Sequence, residues 1–216
     1  MFFAAAGLCA YAQEAATADG APAKMDKRVF GVLPNYRTAD GSLPFEPIGP
    51  GMKMTIAAKD TFDWPLGLLG AAYAGLGQLS NQYPSLGQGT KGYANRFVRS
   101  YADQAMGNFL TEGVMPVLLR EDPRYFRRGE GNFWGRLGYA ATRIFVTRTD
   151  SGGNRLNCSE LLGNSIAVGA SNAYYSDTRT AADNIQKLGV QLATDSLSNI
   201  LKEFWPDVKR KLFTRN

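Results

Sequence analysis

Small residues recur at helical spacing on four segments of the chain. Gly67, Ala71 and Gly75 stand four positions apart, and similar spacing relates three later sets, namely Gly135, Gly138 and Thr142; Gly163, Ala167 and Ser171; and Gly189 and Ala193. Residues three or four positions apart share one face of an α-helix. A glycine costs an isolated helix about 1 kcal/mol relative to alanine, so its repetition on a face indicates that neighbouring helices approach closely. The sequence therefore predicts an all-α fold, a compact multi-helix bundle.

Four prolines divide the chain into an irregular first part and a helical second part. Pro34, Pro44, Pro47 and Pro50 exclude a regular helix between residues 29 and 51. We therefore expect a signal peptide at 1–12, a flexible tether at 13–28, an extended Pro-rich N-terminal arm at 29–51 and one helical bundle at 52–216.

Periodicity within the bundle predicts where its helices lie. A short helix begins near Met52, and Pro65 ends or kinks it. Later helices are expected at about 66–79, 91–119, 133–146, 159–175 and 180–204, followed by a short terminal helix that Pro206 opens. The most apolar stretch, 64–79, would make about 24 Å of helix against a hydrocarbon core of about 30 Å, too short to span it. Because glycine-spaced faces also mark contacts within membranes, an integral membrane protein stays open as an alternative.

The first residues, "MFFAAAGLCAYAQEAA", resemble an export signal. An apolar run ends at Ala10-Tyr11-Ala12, a small-x-small cleavage pattern, although no Lys or Arg precedes the run. Either the start lies upstream of Met1 or the signal is atypical. Removal of this segment leaves Cys158 as the one remaining cysteine, so no internal disulfide is expected. The predicted location is the periplasm or outer-membrane surface of a bacterium.

The charge of the chain bears on its partners. A net charge of +5 arises from 24 basic residues scattered among 19 acidic ones, and an exported chain rarely meets nucleic acid. We therefore expect no nucleic-acid partner, and an anionic membrane lipid or other envelope component instead. The C-terminal stretch "EFWPDVKRKLF" places aromatic residues beside Lys209, Arg210 and Lys211, as a segment lying on an anionic bilayer does. Alternatively, its aromatic residues complete the core.

The absence of histidine excludes several chemistries. The chain contains no His, which rules out Ser-His-Asp and Cys-His catalysis and imidazole zinc sites. No metal or cofactor is expected. "GQGTKG" at 87–92 has the G-x-G-x-x-G spacing but lacks the preceding strand of a dinucleotide site, so it reads as a glycine loop between helices. Lys91 and the backbone amides of this loop remain a candidate phosphate-binding site at the N-terminus of the following helix.

Carboxylates are the candidate catalytic groups. Gln104, Asn108 and Glu112 recur every four residues beside Asp103, so they share one side of the third helix. Asp103 and Glu112, together with Asp122, are the candidate catalytic residues. The alternative is an interhelical hydrogen-bond network in which Arg96 or Arg99 pairs with Asp103.

The corner segment, "EDPRYFRRGEG" at 121–131, concentrates charge around a proline and two aromatic residues. Arg124, Arg127 and Arg128 are candidate binding residues for a phosphate or lipid headgroup. The same arginines can pair with the acids of the segment at positions 121, 122 and 130. Because the charges nearly cancel, we expect an internally paired corner with Tyr125 and Phe126 packed inward.

Several motifs in order resemble one family. The segments "KDTFD", "GQGTKGYANRF", "EDPRYFRRGEG", "SNAYYSD" and "EFWPDVKRK" are similar to an uncharacterised family of exported proteins of Acidobacteria and related Gram-negative bacteria. The resemblance covers about 31–213. Relatives commonly carry His where this chain has Arg120, which implies that no obligatory catalytic imidazole belongs there.

These observations favour an exported envelope protein that is not an enzyme and has a structural or binding role at or near a membrane. The alternative is an envelope enzyme that acts on a lipid or phosphate ester through carboxylates and arginines.

Overall fold

The chain folds mainly into α-helices, which confirms the all-α prediction. The computed structural model describes residues 28–29, 33–35 and 37–213. These residues do not include the predicted signal peptide, 13–27 of the predicted tether, or 30–32 and 36 of the predicted arm. The α-helices are α1 (Pro50–Thr61), α2 (Trp64–Leu79), α3 (Gly89–Asn108), α4 (Met115–Leu119), α5 (Phe133–Thr142), α6 (Cys158–Ser171) and α7 (Ala181–Phe213).

The predicted helix at 91–119 is one continuous helical run with a change of winding inside it. A π-helical segment, Phe109–Val114, joins α3 to α4 without a break. A π-helical turn holds more residues than an α-helical turn, so it rotates the residues that follow relative to those before it. Gln104 and Asn108 both lie in α3, whereas Glu112 lies in the π-helical segment, beyond the change of winding.

Two other helix ends differ from expectation. Pro206 does not open a separate terminal helix, because α7 runs through it to Phe213. α5 stops at Thr142 rather than near Val146, since the chain there turns into a strand. By contrast, Pro65 lies in the first turn of α2, where its missing N–H is not needed, after a cap by the Asp63 side chain.

The described part of the chain also contains short β-strands. β1 (Arg28–Val29) pairs antiparallel with β2 (Leu33–Pro34), and β3 (Thr38–Asp40) pairs parallel with β5 (Tyr125–Arg127). β4 (Glu121–Asp122), β6 (Val146–Thr149) and β7 (Asn154–Leu156) form an antiparallel sheet in the order β4-β6-β7. The corner segment thus contributes one strand to each of two sheets.

The small-residue face of α6 makes the close contact that the sequence predicts. A Cβ on Gly163 would lie 2.8 Å from the Thr111 methyl group and 3.0 Å from its backbone nitrogen. Ala167 and Ser171, on the same face, are buried. α6 therefore packs directly against the π-helical segment.

The prediction is wrong for α2, α5 and α7. No neighbouring atom lies within 4 Å of a Cβ added to Gly67, Gly75, Gly138 or Gly189. In α2 the face that meets α3 instead contains Gly70, whose added Cβ would lie 3.4 Å from the Tyr101 backbone. α2 carries small or apolar residues on most of its circumference, so their spacing does not single out the buried face.

Helix length and hydropathy decide whether a helix can cross a membrane. None of the helices within the described ranges is both long enough and apolar enough to cross a bilayer.

We predict that Gly163→Ala lowers the free energy of unfolding by about 1–3 kcal/mol, because the new methyl group would lie 2.8 Å from the Thr111 side chain and 3.0 Å from its backbone nitrogen. Gly169→Ala, in the same helix, is the matched control. Its added Cβ meets nothing within 4 Å, so it should leave stability unchanged or raise it by up to about 1 kcal/mol. Urea denaturation of both variants checks this, and equal effects would contradict the close packing.

Candidate functional site

Glu121 and Asp122 are buried at the start of the corner segment, and each has an arginine partner. Asp122 pairs with Arg124 at 2.7 Å, as the corner interpretation predicts. Glu121 pairs instead with Arg155 at 3.0 Å and accepts a 2.7 Å hydrogen bond from the Ser159 amide, at the beginning of α6. An anion there also interacts favourably with the positive end of the helix dipole. These contacts fix the corner segment against α6.

Glu203 of α7 gathers the rest of the corner segment around one carboxylate. Its side chain is fully buried and accepts hydrogen bonds from the Tyr125 hydroxyl at 2.6 Å and the amides of Arg128 and Gly129 at 3.0 and 2.9 Å. Arg136 of α5 adds an ion pair at 2.8 Å. A buried carboxylate is stable only when its oxygens are satisfied in this way. Sequence reasoning missed the contact between Glu203 and Arg136, because the two residues lie about 70 positions apart along the chain.

The three predicted arginines of the corner have separate surroundings. Arg124 pairs with Asp122 and donates to the Glu46 carbonyl at 2.6 Å. Arg127 donates to the Glu203 carbonyl at 3.0 Å. The Arg128 side chain is exposed and lies over the Tyr139 ring. Tyr125 and Phe126 are buried, so the aromatic residues pack inward as predicted.

A second group of charges lies inside the bundle around Glu112. The Glu112 carboxylate, carried by the π-helical segment, is 3.1 Å from Arg37, whose guanidinium also lies 3.8 Å from Asp60. Both acids are buried. Burial raises the pKa of Glu112 well above its ordinary value, against the opposing effect of Arg37. In Glu160 of α6, burial and then the negative charge of Asp195 likewise raise the pKa of the carboxyl.

Lys202 faces the same group from α7. Its side chain is buried, and desolvation together with the positive charge of Arg37 lowers the pKa of Lys202 to about 8. Burial and like charges thus move the pKa values of Glu112, Glu160 and Lys202 towards neutrality, although the oppositely charged neighbours act against these shifts. Shifted groups of this kind are found in functional sites and in structural ion-pair networks alike.

Asp103 lies in a different place, a cleft of about 320 Å³ bordered by α2, α3, α6 and α7. It accepts hydrogen bonds from the hydroxyls of Tyr174 and Tyr175. Burial raises the pKa of Asp103 despite these bonds. Lys187 lies over the Tyr175 ring, 4.8 Å from its centroid.

The alternative in which Arg96 or Arg99 pairs with Asp103 is wrong for Arg96. Arg96 is buried and donates instead to the carbonyls of Gln82, Tyr83 and Gly87 and to the Gln78 side chain. Arg96 thus holds the glycine loop against α2 and α3. Lys91 is exposed in the first turn of α3.

The structure therefore places Asp103 in the cleft, Glu112 beside Arg37 inside the bundle, and Asp122 against Arg124 in the corner segment. Among residues 28–29, 33–35 and 37–213, no three His, Cys, Asp or Glu side chains are arranged to hold a metal ion. Cys158 is half-buried with a free thiol. No protein-family model, curated protein or solved structure matches the chain.

We predict that Glu203→Ala lowers the free energy of unfolding by about 3–5 kcal/mol, because it leaves the Tyr125 hydroxyl and two amides without their acceptor and removes one of the two carboxylates that pair with Arg136. Glu130→Ala, an exposed acid of the same corner segment, should change stability by no more than about 0.5 kcal/mol. Urea denaturation separates the two, and a mild effect at Glu203 would contradict its central position.

The lowered pKa of Lys202 predicts a pH dependence. Between about pH 8 and 10.5 the unfolded chain binds more protons at this lysine than the folded protein, so its contribution to stability increases as the pH rises. In Lys202→Met this increase should be absent. Denaturation of wild type and variant across this range measures the difference. The tyrosines contribute equally to both proteins, so their contribution cancels. Lys91→Met, at an exposed site, should retain the wild-type slope; the same slope in Lys202→Met would contradict the inference.

Proposed function

We propose that the protein is an exported envelope protein with a binding role, which docks onto the anionic surface of a bilayer through the end of the molecule where α5 begins and α7 ends. The proposal rests on one observation, the juxtaposition of exposed aromatic and basic side chains at that end. We call this surface the docking end and define it by Arg128, Phe133, Trp134 and 209–212.

The aromatic part of the docking end is rigidly mounted. Trp134 and Phe133 are 75% and 55% exposed, yet Phe133 packs on Phe204 of α7 with ring centroids 5.0 Å apart. Arg136 holds the two helices together through Glu203 and Asp207. A rigid support of this kind keeps the indole available to the interface between water and lipid, where tryptophan is enriched in membrane proteins.

Exposed basic residues give the docking end a net positive charge. Arg128, Lys209, Arg210 and Lys211 are exposed there, and Leu212 beside them is 64% exposed. Nearby, Asp207 is engaged with Arg136 and Arg210, and Glu130 is exposed. The positive charges outnumber the negative ones, so the docking end complements an anionic headgroup layer.

Physical magnitudes make such docking reversible and salt-sensitive. Each Lys or Arg near an anionic surface contributes about 1 kcal/mol, and this attraction is screened within about 10 Å at moderate ionic strength. Burial of one large apolar side chain adds roughly 1.5–3 kcal/mol. Both contributions are therefore needed for stable association.

Sedimentation with vesicles tests the proposal. We expect the protein to bind vesicles made of one third phosphatidylglycerol and two thirds phosphatidylcholine, to be released by high salt, and to bind pure phosphatidylcholine far less. The double variant Arg210→Ala/Lys211→Ala should bind the anionic vesicles roughly 30-fold more weakly, since two contributions of about 1 kcal/mol are lost. Trp134→Ala should also weaken binding.

Lys91→Ala is the matched control, because it removes one exposed positive charge from the first turn of α3. The loop just before α3 contacts Asp177, ahead of the start of α7, and so lies at the other end of the molecule. Binding of this control should match the wild type. Equal binding to neutral and anionic vesicles, or none to either, would overturn the proposal.

A further inference from the structure

We propose that the cleft containing Asp103 is a binding site for an uncharged, hydroxyl-rich ligand, a neutral sugar, whose apolar face lies on Leu76, Val168 and Val190. The inference is independent of bilayer docking. It rests on the volume of the cleft, on the balance of charge in its walls and on which polar groups in it remain uncommitted.

The cleft has the size and construction of a ligand site. Its volume of about 320 Å³ falls at the lower end of the range of about 300–1,000 Å³ found for small-molecule sites. Leu76 of α2 and Val190 of α7 are substantially exposed on its border, and Val168 of α6 is buried in its wall. Tyrosines, Gly77, Ala167 and polar residues line the remainder of the cleft.

Charge in the walls is balanced. The ionisable acids and bases facing the cleft are Asp103 and Arg96 on α3, and Asp183 and Lys187 on α7. Two acids therefore oppose two bases. A ligand with a net charge of either sign would meet an unfavourable partner as well as a favourable one, which favours an uncharged ligand.

The bases are also already committed to the protein. Each nitrogen of the Arg96 guanidinium donates to oxygen atoms of the glycine loop or α2. The Lys187 ammonium has three donors, and three oxygens lie within reach, the closest being the Thr178 carbonyl at 2.9 Å. Neither residue offers an uncommitted donor fork for a phosphate or carboxylate.

The cleft does contain uncommitted acceptors and side-chain amides. Asp103 accepts one tyrosine hydroxyl at each oxygen, and each carboxylate oxygen has capacity for a second donor. Gln104 and Gln186 line the cleft and make no side-chain hydrogen bond to any described residue, and Gln191 uses only its amide nitrogen. Amide groups donate and accept at once, which matches hydroxyl groups that do the same.

A matched series of sugars tests the charge argument. ¹⁵N-labelled protein is titrated with N-acetylglucosamine, which is neutral, with glucosamine, which is cationic, and with glucose 6-phosphate, which is anionic. We expect the side-chain amide signals of Gln104, Gln186 and Gln191 to shift with the neutral sugar, and both charged sugars to bind more weakly.

Variants locate the site. Gln186→Leu should weaken binding of N-acetylglucosamine by roughly 3- to 10-fold, the effect of losing one hydrogen bond. Gln88→Leu makes the identical change at an exposed position that does not line the cleft, and it should bind like the wild type. The proposal is overturned if a charged sugar binds as tightly as the neutral one, if both variants behave alike, or if no sugar shifts these signals at saturating concentration.

Discussion

The buried carboxylate of Glu203 is the interaction on which the rest of the architecture depends. The corner segment is irregular, and irregular backbone leaves amides that no helix or sheet satisfies. Glu203 accepts two of these amides together with the Tyr125 hydroxyl and the Arg136 guanidinium. One anion thereby joins α5, α7 and β5. Without it, the corner segment and α5 would face α7 with unpaired donors.

Burial of charge is a general property of this fold. Lys53, Arg96, Glu112, Glu121, Asp122 and Glu203 are all nearly inaccessible to solvent. Each burial costs several kcal/mol unless partners compensate, so each of these groups has to meet its partners in the folded protein. The π-helical segment belongs to this arrangement, because it turns Glu112 towards Arg37 while Asp103, earlier in the same helical run, faces the cleft.

Sequence reasoning succeeded where the signal is local. The helical run at 89–119, the pairing of Arg124 with Asp122 and the contact face of α6 all follow from spacing or adjacency. It failed where partners are distant, as for Glu203, which resembles any acid in an amphipathic helix. It also failed on α2, whose mostly apolar surface does not reveal which face meets α3.

The length of α7 separates the two proposed surfaces. This helix spans 33 residues, or about 50 Å, with Lys187 of the cleft near its beginning and Arg210 of the docking end near its end. The two side chains are separated by about 35 Å of helix, well beyond the Debye length at physiological salt. Charges of a bilayer would therefore leave the balance within the cleft undisturbed. A protein docked end-on would hold the cleft in the aqueous phase, where a sugar-like ligand is found.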